Sequence, residues 1–205
     1  MSGATPRRRL LSGAAALLPA LAACTRTRPT MFYTLVTAAG PPRVKRPGKG
    51  LVVGLGPITL PQYLDRPDIV TREGANQMRL AEFHQWAQPL EPMLTQIMAE
   101  DLLVLLGAED VIPVPQRRDV PLDQVVEADV NRFEADEAGE VVLDARWRVY
   151  RGDDDTLTTS GRSLITEQGA PVPDYDAIVA AMSRAVGQLS AEIAFAIAGG
   201  APVPA

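Results

Sequence analysis

Residues 140–150 alternate in chemistry at every step. Val141, Leu143, Ala145, Trp147 and Val149 take one parity, and Val142, Asp144, Arg146, Arg148 and Tyr150 take the other. Side chains on a strand point alternately to opposite faces, so this pattern predicts a strand in a sheet with one packed and one wetted face. Residues 122–134 read as a strand before it. Gly152 and the acidic run Asp153-Asp154-Asp155 read as a tight turn, and 156–166 as a returning strand. Three long neighbouring strands joined by short turns point to an antiparallel meander.

Two stretches switch to helical period. Leu90, Met93, Leu94, Ile97, Met98, Leu102, Leu105 and Leu106 form one apolar stripe. Pro89 opens it, Pro92 is tolerable because first-turn N–H groups have no helical partner, and Gly107 suits its end. The second stripe is Ile178, Met182, Ala185, Val186, Leu189, Ile193 and Ile197, with Asp174 as cap and Gly199 and Gly200 as stop. Before them, 32–36 and 51–60 read as strands, 38–50 and 61–67 as loops, and 69–72 with 78–83 as a hairpin; 111–114 is a further short strand. Gly54 and Gly56 within 51–60 predict a bulge or a close backbone approach. The fold expected is α+β: a mostly antiparallel sheet with two amphipathic helices packed on one face.

The N-terminus belongs to another category. Arg7, Arg8 and Arg9 precede an apolar run over 10–23, which closes as Leu21-Ala22-Ala23-Cys24. A basic start, a short apolar core and small residues before a cut site describe an export signal. The run is too short to span a hydrocarbon core of ~30 Å. The ending resembles the lipobox of bacterial lipoproteins, and Cys24 is the single cysteine of the chain. That resemblance implies cleavage before Cys24 and acylation of its thiol. Two or three acyl chains give lasting attachment where one holds only marginally. The arginines also resemble a twin-arginine signal, although Pro6 stands where Ser or Thr is usual, and the general secretion route fits equally well. The expected organisation is a signal peptide over 1–23, a lipidated tether over 24–30, one domain over 31–200 and a loose tail over 201–205.

Removing 1–23 leaves 182 of the 205 residues, enough for one domain with a real core, and takes the net charge from −5 to about −8. An acidic body argues against nucleic acid as a partner. With Cys24 acylated, thiol catalysis, disulfides and cysteine-based metal sites are excluded. His84, the one histidine, has no serine in a nucleophile-elbow setting to serve, and sits where a strand hands over to the helix beside Trp86. The acidic run 153–155 lacks the spacing of a calcium loop. The reading is therefore of a protein with no enzymatic activity, no metal and no cofactor.

Two segments carry a family resemblance. The run Gly56-Pro57-Ile58-Thr59-Leu60-Pro61-Gln62-Tyr63-Leu64-Asp65-Arg66-Pro67-Asp68-Ile69-Val70-Thr71-Arg72 and the later Trp86-Ala87-Gln88-Pro89-Leu90 closely resemble the PqiC-like (YmbA) lipoproteins, auxiliary lipoprotein components of ABC-type transport systems. Gln88 departs from the Glu expected there. The resemblance implies a periplasm-facing lipoprotein of the outer membrane. Its partners would be an MCE-domain protein (PqiB-like) that forms a lipid-carrying tube, and that protein's membrane permease and ATPase; some members assemble as rings. Thr25 after Cys24, in place of Asp, favours the outer membrane.

Docking is binding work, so the candidate residues form a surface. Tyr63, Leu64, Asp65, Arg66, Ile69 and Arg72 mix an aromatic and aliphatics with two arginines, a composition suited to protein interfaces. The alternative reading is that Tyr63 and Leu64 plug the sheet edge, with Asp65 and Arg66 pairing locally. The rival function is a stand-alone lipid- or small-ligand-binding lipoprotein, which needs an enclosed apolar cavity between sheet and helices.

Overall fold

The structure is a computed structural model that describes residues 28–38, 50–114 and 120–199. The export signal, Cys24, most of the loop 38–50 and the tail 201–205 lie outside the described residues. The elements run β1 Met31–Tyr33, β2 Val52–Thr59, a 3-10 turn Gln62–Leu64, β3 Asp68–Arg72, β4 Met78–Trp86, α1 Leu90–Leu106, β5 Asp110–Pro113, β6 Gln124–Asp136, β7 Glu140–Arg151, β8 Leu157–Gln168 and α2 Tyr175–Ile197.

All eight strands join one sheet. It follows the path β1-β4-β3-β6-β2-β5, with β7 and then β8 on the other side of β6. The central strand β6 pairs along its length with β7, while β2 and β3 share its opposite edge: β2 takes 124–129 and β3 takes 135–136. Two amphipathic helices on a sheet were expected and are found. The strand directions are more varied than the sequence suggested. The long ladders β6–β7 and β7–β8, with β3–β4, are antiparallel. The pairings β1–β4, β2–β5, β2–β6 and β3–β6 are parallel, so the sheet is mixed. Alternation reports which face is packed and carries no information on strand direction, whereas pairing of distant segments such as β2 with β5 follows from the helix between them.

Both helices pack against each other and on the same face, α1 over β2 and β5, α2 over β7 and β8. Asp174 caps α2 by accepting from the Ala177 N–H at 3.1 Å. Gly107, in the left-handed region at φ 60, ends α1. Ile178, Met182, Val186, Leu189 and Ile193 of α2 and the inner row of β7 are buried together. Each such side chain contributes roughly 1.5–3 kcal/mol relative to exposure. The bulge expected near Gly54 and Gly56 is present as a register shift between Leu55 and Ile58. Gly56 has φ +124, and a Cβ there would lie 2.8 Å from the Val114 carbonyl oxygen.

Gly161 marks the tightest contact of the meander. It faces Trp147 across the β7–β8 ladder, and a Cβ on it would lie 2.4 Å from the indole ring. The ring fills the missing side chain's space, and its Nε1–H donates to Ser163 Oγ at 3.0 Å. Gly161→Ala should therefore lower stability by about 1–3 kcal/mol, the usual cost of overpacking. The measurement is a thermal melt; an unchanged midpoint would show that β8 moves aside freely.

Candidate functional site

Because both helices lie on one side, no element of the described residues covers the other face of the sheet, and its polar residues satisfy one another. A bulge between Val130 and Arg132 changes the parity of β6. Before it, Glu127 and Asp129 point outward and Val126, Ala128 and Val130 inward. After it, Arg132 and Glu134 take the outer face, while Phe133 and Ala135 stay in the core. Asp144, Arg146 and Arg148 of β7 and Arg162 of β8 complete the outer rows, with Asp129, Arg146 and Arg162 side by side.

Three carboxylates organise this face. Asp144 takes a forked pair of bonds from Arg162, Nε at 2.9 Å and Nη2 at 2.8 Å. Asp129 accepts from Thr59 Oγ1 at 2.8 Å and from Arg148 Nη1 at 2.9 Å. Glu134 is the deepest, with no exposed side-chain surface. It accepts from Tyr63 Oη at 2.6 Å, Arg72 Nε at 2.8 Å, Arg132 Nε at 2.7 Å and the Phe133 N–H at 3.2 Å. Four donors offset the cost of burying a charge. The hydrogen bond from Thr59 and then that from Arg148 hold Asp129 below the usual carboxylate range. The Arg162 fork does the same for Asp144. Burial, and then the hydrogen bond to Glu134, push the Tyr63 hydroxyl well above its ordinary value.

The candidate loop divides accordingly. Tyr63 and Arg72 are brought together around Glu134 and form one end of the uncovered face. Leu64 and Ile69 are 3% and 0% exposed and belong to the core, so they present nothing to a partner. The reason is local: the 3-10 turn aims Leu64 inward, and β3 turns Ile69 into the core. Asp65 is exposed; Arg66 is partly so, and its buried Nε has no hydrogen-bond acceptor among the described residues. The expected local pairing of Asp65 with Arg66 is not among the ion pairs of the described residues. Sequence reading missed Glu134 and Arg132 because the bulge conceals their face.

The remaining motifs resolve simply. His84 Nδ1 lies 2.7 Å from Tyr33 Oη, its ring stacks on Tyr175 at 4.2 Å, and burial lowers its pKa. The acidic run 153–155 forms the β7–β8 turn, where Asp154 Oδ1 accepts from the Thr156 N–H at 3.1 Å. Among the described residues, no cluster of three His, Cys, Asp or Glu is arranged to hold a metal, and no helix is long and apolar enough to cross a membrane. A cleft of about 280 Å³ between residues 34–37 and α1 opens to solvent and is lined by Thr34, Gln88, Gln96 and Glu100 as well as apolar groups.

Residues 33–194 match the family described as ABC-type transport auxiliary lipoprotein component. The chain belongs to this family. The auxiliary lipoproteins are membrane-anchored transport components and not a known enzyme family. No curated protein matches this chain in sequence. Its fold is similar to the crystal structure of protein XCC0632 from Xanthomonas campestris, at 19% identity, covering 82% of this chain and 96% of that one, with TM-score 0.68. A crystal structure of an uncharacterized protein is similar to the same degree, at 19% identity, covering 83% and 99%, with TM-score 0.67. Identity this low shows a shared fold alone.

The Glu134 cluster gives a pH-dependent signature. A phenol whose folded pKa is raised contributes stability in full below the ordinary value of 10.0 and loses it as pH rises beyond that. Tyr63→Phe should flatten the alkaline fall of the melting temperature between that pH and the unfolding limit, compared with wild type in the same buffers. Glu134→Ala should cost about 2–3 kcal/mol at neutral pH, the range for breaking a buried pair reduced for two partly exposed arginines; a denaturant titration reads it directly.

Proposed function

We propose that this auxiliary lipoprotein sits at the inner leaflet of the outer membrane, held by acyl chains on Cys24, and docks the periplasmic tube of an MCE-domain protein so that lipid passes between the membranes. The observation that carries the reading is the family match over residues 33–194 behind a lone cysteine at a lipobox. The permease and ATPase of the same ABC-type system are the indirect partners, and a ring of copies around the tube mouth belongs to the same proposal.

The uncovered sheet face supports docking. It is broad, built on strands, and its charges are held in fixed geometry by one another, so a partner meets a preorganised surface. Arginine and tyrosine are favoured at interfaces, and both are present at its Tyr63–Arg72 end. Asp65, exposed, and Arg66, partly so, stand in the loop that follows Tyr63.

Two experiments test the two halves. Cys24→Ala should release the protein from outer-membrane fractions washed in high salt; retention there would refute the acyl anchor. Arg66→Glu should weaken co-purification with an MCE-domain partner by several-fold, with the melting temperature within a degree or two of wild type. Unchanged co-purification would remove the loop from the interface, and a melt lowered by several degrees would make Arg66 a structural residue.

A further inference from the structure

We infer that the β1 edge of the sheet is the membrane-facing end of the domain, with Met31 and Phe32 seated in a phospholipid surface. The two side chains are 52% and 65% exposed. Neighbouring strand residues point to opposite faces, so both sides of this edge present a large apolar group to water. Edge strands normally carry charge or proline to discourage contact. The next residue, Tyr33, is tied inward through its hydroxyl to His84. Further along the same segment Leu35 is buried and Val36 is exposed again, so the apolar exposure lies along the N-terminal segment of the fold.

The length of chain before β1 points to the occupant. This inference rests on the proposed acylation of Cys24. Seven residue steps separate Cys24 from Met31, a reach of at most about 25 Å even fully extended. A bilayer that holds Cys24 therefore lies within that distance of Met31. Arg26 and Arg28 stand in the connecting stretch of an otherwise acidic chain, and cations there favour anionic headgroups. Apolar and aromatic groups beside basic ones are the composition of an interfacial contact. A second copy of the chain is a poorer occupant, because a three-residue strand offers too little pairing for a stable interface. The opposite edge, β8, stands five interstrand spacings away, about 24 Å. The sheet would rise from the membrane along that direction.

The test uses the full-length acylated protein in vesicles of mostly phosphatidylethanolamine with a minority of phosphatidylglycerol. Phe32→Cys supplies one free thiol, because acylation occupies the Cys24 sulfur; Met31→Cys is a second probe, and Leu164→Cys, at an exposed position on β8, is the control. Each is labelled with an environment-sensitive fluorophore, and circular dichroism verifies the fold. The label at 32 or 31 should shift to the blue, be quenched by spin-labelled lipid, and resist aqueous iodide several-fold more than the label at 164. Equal iodide quenching at 32 and 164 on vesicle-bound protein would overturn the inference and leave the anchor standing. A blue shift without quenching by spin-labelled lipid would mean a protein covers the edge, which also overturns it. Labelling of Cys24 in the wild-type chain would defeat the acyl anchor, and the inference would fall with it.

Discussion

One-sided burial governs this structure. The inner row of β7, Val141 through Val149 at alternate positions, lies beneath α2, and α1 covers the neighbouring β2 and β5. No element of the described residues packs as a layer on the outer rows, so their charges are satisfied within the sheet itself. The bulge at Val130–Arg132 is the device that makes both faces work. Without it Phe133 would face water and Glu134 would face the helices. With it, Glu134 is delivered to the position where Tyr63, Arg72 and Arg132 converge. The loop after β2, the β3 strand and the long β6 strand are thereby joined through one carboxylate.

Much of this was legible in the sequence because side-chain period maps directly onto burial. The β7 alternation, both helix stripes, the Asp174 cap and the turn at 153–155 follow from local rules that tertiary packing did not override. The strand directions were not legible, since β2 and β5 are separated by two strands and a helix and no local signal reports whether they run parallel. The site was half legible. Tyr63 and Arg72 stood out as an aromatic and an arginine in an unusual loop. Leu64 and Ile69 looked similar in composition, yet the turn and the strand rotate them into the core. Glu134 was hidden by the bulge, because a strand read with unbroken period two places residues 132 and 134 on the face that also carries Val126 and Val130. An apolar Phe133 between two charged residues is the trace that such a parity change leaves.

The packing also bears on the rival reading of a stand-alone lipid- or small-ligand-binding lipoprotein. A carrier must keep an enclosed apolar chamber, and ligand pockets commonly occupy ~300–1,000 Å³. Here the space between sheet and helices is taken by the two stripes, with Trp147, Phe133, Met93, Met98, Leu102 and Ile178 among the largest fully buried side chains. The cleft beside α1 is smaller than that range, open, and partly polar. Among the described residues the core is filled by side chains, and the uncovered sheet face carries polar groups tied to one another.

The membrane edge and the docking face constrain each other. The β1–β8 direction lies in the plane of the sheet, and the uncovered face is perpendicular to that plane's normal by construction. If the β1 edge rests on the bilayer, the sheet stands upright and its uncovered face looks along the membrane surface. Under the proposed docking, a tube running along the membrane normal would pass beside that face and meet Arg146, Arg148 and the Tyr63–Arg72 end together. An orientation with the helices toward the membrane would instead turn the same charges toward the tube's open end. On the two proposals taken together, the β1 edge would decide between a grip on the side of the tube and a cap on its mouth, and the exposed Phe32 favours the side.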